Sequence, residues 1–351
     1  MSRALFSPGS CEMCRIVRRV ATAALVIAWL QRPGSAEPAA PERADHDPIA
    51  APTPWIDLGT SPIVDPVEPG VSSDDHRLAA ALTLGGTYAA FTTWTYFAWY
   101  RKHKPLSQFK WGGDGWLGPK TYAGGADKFG HAWATMSLAR LGTEMLHQWG
   151  GFEKLTSTLV GTALSEALFL GVEVKDGFYY EFSFSDATGD TLGALAAIAL
   201  SLSPRLDELF DYRVEYWPSH EYRRQFDGGN VNIAEDYSGE TYVLALHLGG
   251  LHSLRDASWG GWSRFVDLAV GYGTRGYKPD PPTGEPPNGH RQELSIGVSL
   301  NVQGLSDWLF EGRSRPAKKI GHALFEVFNA GYLPAVMWQR SPTGTVMMGG
   351  A

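Results

Sequence analysis

Three stretches of this sequence pair ionisable side chains at the period of an α-helix. Asp127 and His131 are four residues apart, Glu166 and Glu173 are seven apart with Asp176 close behind, and Asp186 and Asp190 are again four apart. Residues spaced by four or seven share one helix face. The segments around them are apolar, and an ionised carboxylate in an apolar interior is costly unless it pairs, shifts its pKa or binds a cation. Lys128, Lys175 and His131 are the only nearby cations for six acids. A divalent metal with oxygen and imidazole ligands would supply the missing charge, with His131, Glu173, Asp176 and Asp186 as its ligands. Asp127, His131, Glu173, Asp176, Asp186 and Asp190 together form the candidate catalytic set. Water activated on such an ion, with a spare carboxylate as base, is the chemistry of a hydrolase or transferase. A plainer reading stands beside this one. Asp127 and Asp186 suit helix N-caps, Asp176-Gly177 suits a turn, Glu166 suits solvent, and His131 suits a core.

These side chains must be carried by apolar helices. Leu78 to Tyr100 holds 23 residues without a charge and ends in Trp94, Tyr96, Trp99, Tyr100 and a basic run, as an interfacial membrane helix does. Further helices are expected over Asp127–Trp149, Leu155–Val174 and Asp186–Leu202, the last stopped by Pro204. Small residues such as Gly161, Ala163, Gly193 and Ala194 would let them approach closely. Beyond Pro204 the texture changes. Asp207–Arg224 reads as a short surface helix, and period-two alternation marks strands over Tyr242–Leu248, Phe265–Tyr272 and Glu293–Val302. A loop from Pro279 to Asn288 and a final helix over Ala317–Phe328 complete the pattern. The fold class expected is α+β: an apolar bundle of about four helices (76–204), then a small antiparallel sheet with short helices (205–351). Three or four strands are too few to close a barrel from one chain.

The N-terminal part points to export. Arg15, Arg18 and Arg19 precede an apolar stretch from Val20 to Leu30, and Gly34-Ser35-Ala36 offers small residues for cleavage, so residues 1–36 read as a signal peptide. Residues 37–75 are rich in Pro, Ala and Asp and read as an extended tether. Both cysteines, Cys11 and Cys14, lie ahead of the apolar stretch, so cleavage leaves no thiol for metal binding or nucleophilic attack. Hydrophobic residues make up 44% of the 351, charged ones only 19%, and the formal charge is −7. The first 36 residues carry five Arg and one Glu, so the remainder sits near −11. That balance argues against nucleic acid as a partner and is compatible with membrane lipid or another envelope protein.

Asp127-Lys128-Phe129-Gly130-His131, then Glu173-Val174-Lys175-Asp176-Gly177, then Phe184-Ser185-Asp186 with Asp190 and Gly193, together resemble the signature of domain-of-unknown-function family 2279, over roughly Tyr122 to Leu202. The resemblance implies a periplasmic lipoprotein and brings no reaction with it. Asp190 stands where the family motif has Asn, and no lipid-attachment cysteine follows the apolar stretch. Two functions follow from these readings. One is an envelope metal-dependent hydrolase or transferase acting on a lipid or cell-wall substrate. The other is a non-catalytic scaffold or anchor whose acids serve the fold.

Overall fold

The computed structural model describes residues 74–113, 115–229, 232–280 and 289–301, with Gly304, Leu305 and Trp308, and the backbone of 331–332, 337–340 and 346–349. The expected signal peptide, most of the tether, most of the 279–288 loop and the Ala317–Phe328 helix lie outside these residues. All of those described belong to one compact unit.

Four long helices come first: α1 (Asp74–Thr95), α2 (Ala126–Glu144), α3 (Lys154–Tyr179) and α4 (Phe184–Leu202). Both α1 and α2 loosen into a wider terminal turn, Tyr96–Tyr100 and Met145–Trp149. α3 runs five residues past the expected end at Val174, so Asp176-Gly177 is helical and forms no turn there. Its start is capped by Glu153, which accepts from the amides of Leu155 and Thr156. The cap of α4 is Ser183, whose Oγ accepts from the Asp186 amide; Asp186 itself is not the cap. Nor does Asp127 cap α2, which begins after Gly125 in a left-handed conformation (φ 90°). Here a Cβ would stand 2.7 Å from the carbonyl oxygen of Trp116, so glycine meets two demands at once.

Helix α2 is the axis of the bundle. It meets α3 where Gly142 faces Gly161, and a Cβ on Gly161 would lie 2.7 Å from the Thr143 amide nitrogen. It meets α4 at Gly189, where a Cβ would lie 2.8 Å from the Lys128 carbonyl oxygen, and again where Gly193 abuts Ala132. The inward positions in the first half of α3 are small or polar, Ser157, Thr158, Gly161, Thr162 and Ser165, and further along Phe169 and Val172 are buried beside Glu173. Its large apolar residues, Leu155, Leu159, Val160 and Leu164, face out. Over that first half this inverts the usual arrangement of a water-soluble helix. Among the described helices, α3 alone is long and apolar enough to cross a membrane by length and composition. The Leu78–Tyr100 segment, expected to be such a helix, does not qualify with its many Ala, Gly and Thr residues.

The segment read as one surface helix, Asp207–Arg224, is three elements: α5 (Pro204–Leu209), strand β3 (Phe210–Tyr216) and α6 (His220–Asp227). β3 alternates Tyr212, Val214 and Tyr216 with Asp211, Arg213 and Glu215, and its charged residues hid the strand period. Two short strands, β1 (Trp111–Gly112) and β2 (Phe182–Ser183), pair in parallel. The expected strands appear as β4 (Glu240–His247), β5 (Val266–Arg275) and β6 (Arg291–Leu300), after which come β7 (Gly331–Tyr332), β8 (Met337–Arg340) and β9 (Val346–Gly349). They form one seven-stranded sheet in the order β7-β3-β4-β5-β6-β8-β9, antiparallel except for the β3–β7 pair. A last short helix, α7 (His252–Arg255), lies between β4 and β5.

Sheet and bundle share a core of Ala123, Ala126, Val214, Tyr237 and Tyr242, flanked by Phe129, Trp133, Tyr212 and Tyr272. The tyrosines also lock the position of α2. Tyr212 donates to the Phe129 carbonyl at 2.9 Å, and Tyr272 and Gln292 both donate to the Gly124 carbonyl. The start of α2, which carries Asp127 and His131, is thereby held against the sheet.

Candidate functional site

The acids of the three helices do meet, and they divide into groups with different partners. On α2, Asp127 and Lys128 are both buried, with Lys128 Nζ 2.6 Å from Asp127 Oδ2. The same ammonium reaches Asp186 Oδ1 of α4 at 3.2 Å. Two of the acids thus share one buried cation, which leaves the group one negative charge in excess.

One turn further along α2, His131 Nδ1 lies 3.0 Å from Asp190 Oδ1, and Nε2 lies 3.7 Å from Glu173 Oε1 of α3. Asp190 is fully buried and Glu173 only 2% exposed, while His131 is half-buried. Thr135 Oγ1 donates to the same Asp190 oxygen at 2.9 Å, and the Ser183 amide donates to Glu173 Oε2 at 3.2 Å. Asp190 Oδ2 is buried without a hydrogen-bond partner among the described residues. One donor atom from each of His131, Glu173 and Asp190 can be chosen so that all lie within 4.8 Å of one another.

Burial and neighbouring charge push these groups in opposite senses. Burial works to lower the His131 pKa, but the adjacent Asp190 carboxylate, with Asp186 and Glu173 beyond it, outweighs burial and lifts it to about 10. Glu173 is raised to about 8 by burial, against the pull of His131. These directions place an imidazolium beside a largely protonated Glu173 at neutral pH.

Asp176 stands apart from this cluster. Its Oδ1 accepts from Tyr100 at 2.6 Å, and burial raises its pKa to about 6 against the lowering effect of that bond. The Lys175 ammonium sits 3.8 Å over the Tyr100 ring, where it also feels the charge of Asp176. Glu166 is half-buried and does not face open solvent: it accepts from Thr191 of α4 at 2.8 Å. Of the four residues expected to bind metal, His131 and Glu173 have the required proximity. Asp190 takes the third place, with Asp186 engaged by Lys128 and Asp176 by Tyr100.

The sequence reading does not link Thr135 to the acids, and it marks Tyr100 only as part of an interfacial aromatic end. Thr135 follows His131 by four residues, so helical spacing would have found it. Tyr100 is brought to Asp176 only by the packing of α1 on α3. A second buried polar group also escaped notice. Arg213 of β3 is fully buried, bonded to Asp267 of β5 at 3.1 Å and to Ser299 of β6, and Asp267 also lies 2.7 Å from His247 of β4. Its residues all occupy one face of the sheet, at alternating positions.

Residues 113–202, the stretch that carries Asp127, Glu166, Glu173, Asp176, Asp186 and Asp190, match the family model described as predicted periplasmic lipoprotein (DUF2279). The match spans α2, α3 and α4 and stops at the end of α4, ahead of the sheet. The family description agrees with an exported location in the periplasm or envelope. No curated protein and no solved structure matches the chain.

Proposed function

We propose that this chain is an envelope-associated, metal-dependent hydrolase or transferase whose cation is held by His131, Glu173 and Asp190, acting on a lipid or cell-wall substrate. The supporting observation is the convergence of three donors from three different helices within 4.8 Å, together with a carboxylate oxygen of Asp190 that is buried and has no hydrogen-bond partner among the described residues. The 3.7 Å between His131 Nε2 and Glu173 Oε1 fits two donors on one ion, since bonds of ~2.1 Å separate neighbouring donors by roughly 3–4 Å. One nitrogen and two carboxylates suit zinc or manganese. A bound divalent ion would supply Lewis acidity and an activated water. Thr135 steadies Asp190, and the Ser183 amide steadies Glu173. The outward-facing leucines of α3 and α4 favour membrane association and a substrate with an apolar part.

The test is metal analysis of the full chain purified in mild detergent, followed by zinc and manganese titration. Stoichiometric metal in the parent, lost in His131→Ala and Glu173→Gln, supports the reading, as does metal-dependent cleavage of an ester or phosphoester lipid by the parent alone. A parent free of metal that takes up neither ion ends it.

One observation favours a second reading, a non-catalytic envelope scaffold. Asp190 and Glu173 are shut away from solvent, and each already accepts a bond from the bundle itself. On that reading His131 is a half-buried lock between α2, α3 and α4. His131→Ala would then lower stability without altering metal content.

A further inference from the structure

The sheet shows an inversion of polarity that the site does not use. Along β4, β5 and β6 the odd-numbered residues are polar or small and almost all buried: Asp267, Ser295 and Ser299 with Val243, Ala245 and Ala269. Arg213 of the neighbouring β3 joins them and is neutralised there by Asp267. Many of the even-numbered residues are large, apolar and exposed: Leu244 is 52% exposed, Leu268 46%, Val270 46%, Ile296 63% and Val298 50%, while Glu240, Tyr242 and Thr274 toward the bundle are buried. The register aligns them across strands, with Leu244 opposite Val270 opposite Ile296, and Leu246 opposite Leu268 opposite Val298. The result is a continuous apolar surface three strands wide. At its bundle end the same face is covered by packing of Tyr242 and Tyr272 on α2. Beyond that row nothing among the described residues covers it.

We propose that the even-numbered face of β4–β6 is a lipid-contact surface, seated against the acyl chains of an envelope membrane. Water would oppose this exposure, since monomers in water rarely expose contiguous apolar patches beyond a few hundred Å². A folded protein partner fits less well than lipid. Docking sites are bounded patches with a polar rim, whereas here exposed leucine and valine recur on the outer faces of α3 and α4 as well. Apolar-out, polar-in alternation is how a strand satisfies lipid on one side and a sealed polar interior on the other. The face lies beyond the matched segment 113–202 and involves none of the proposed ligands, so it stands or falls independently of the metal centre.

The test uses the full chain, with Cys11 and Cys14 replaced by Ser, in phosphatidylethanolamine–phosphatidylglycerol vesicles. Nitroxide labels go on Ile296→Cys and Leu268→Cys, with exposed Lys120→Cys as the aqueous reference. Lipid contact predicts high collision rates with oxygen and low rates with a nickel chelate at both sheet positions, and the reverse at the reference. Chelate access at the sheet positions overturns the proposal. So does exclusion of both reagents with spin–spin broadening, which would mark a second copy on this face. The unsubstituted chain supplies a second measurement through a phospholipid carrying a photoactivatable acyl chain. Crosslinks within 266–300 are expected, and crosslinks confined to the helices refute the idea.

Discussion

His131 Nδ1 and Asp190 Oδ1 face each other at 3.0 Å across the contact between α2 and α4, and this single pair decides how the buried imidazole is presented to Glu173. Among the described residues Asp190 has no other cation of comparable proximity, and it carries Thr135 on the same oxygen. Asp190→Ala therefore leaves a buried imidazolium and a buried hydroxyl without their acceptor. Removing one partner of a buried pair costs about 3–5 kcal/mol. The expected outcome is a fall in stability of that order in detergent-phase denaturation, with Asp190→Asn falling less because its carbonyl still accepts from both. Equal, small losses in the two variants would contradict the pairing.

The approach of α2 and α3 is set by glycine. A Cβ on Gly161 would crowd the Thr143 amide nitrogen and, at 2.8 Å, the Ala139 carbonyl oxygen, both of them backbone and unable to swing away. Gly161→Ala should destabilise by about 1–3 kcal/mol through overpacking. Gly171 lies on the same helix with open space around its would-be Cβ. There Gly171→Ala should stabilise by about 0.5–1 kcal/mol from helix propensity alone. Thermal denaturation of the two variants side by side checks that the signs are opposite.

Asp176 gives the bundle a pH dependence. Its folded pKa of about 6 lies above the 3.8 of an unperturbed Asp, because burial disfavours the carboxylate more than Tyr100 supports it. The folded state therefore holds this proton more tightly than the unfolded one. The contribution is complete below about pH 4 and is lost as pH rises through 6. Asp176→Asn should flatten the slope of denaturation midpoint against pH in that window. Tyr100→Phe, which removes the bond favouring the carboxylate, should extend the window upward. An Asn variant with an unchanged slope would rule the assignment out.

Ser183 links the cap of α4 to the site. Its Oγ accepts from the Asp186 amide while its own amide donates to Glu173. Ser183→Ala should cost about 1 kcal/mol as a lost N-cap. Because the amide survives the substitution, metal uptake should be little changed, which a titration alongside the melt would check.

Much of this arrangement was legible in the residues. The helical spacing of Asp127 with His131 and of Asp186 with Asp190 placed each pair on one face, and the alternation in β5 and β6 marked those strands. Strand β3 was harder to read, because Asp211, Arg213 and Glu215 interrupt a short apolar pattern and acquire their meaning only from partners in β5 and β6. The end of α3 was misjudged at Asp176-Gly177, a pair that turns readily in isolation. There, contacts of Phe109 and Tyr100 with the last turn override the local preference.

Local periodicity follows from bonds within a few residues, so the sequence alone determined the helices, the central strands and the facing of each acid along its own helix. Which acid met which partner was decided by tertiary structure. Lys128 took Asp127 and Asp186, Tyr100 took Asp176, and Asp190 rather than either of those joined His131 and Glu173, because charge pairing falls off over a few ångströms and only helix packing sets distances that finely.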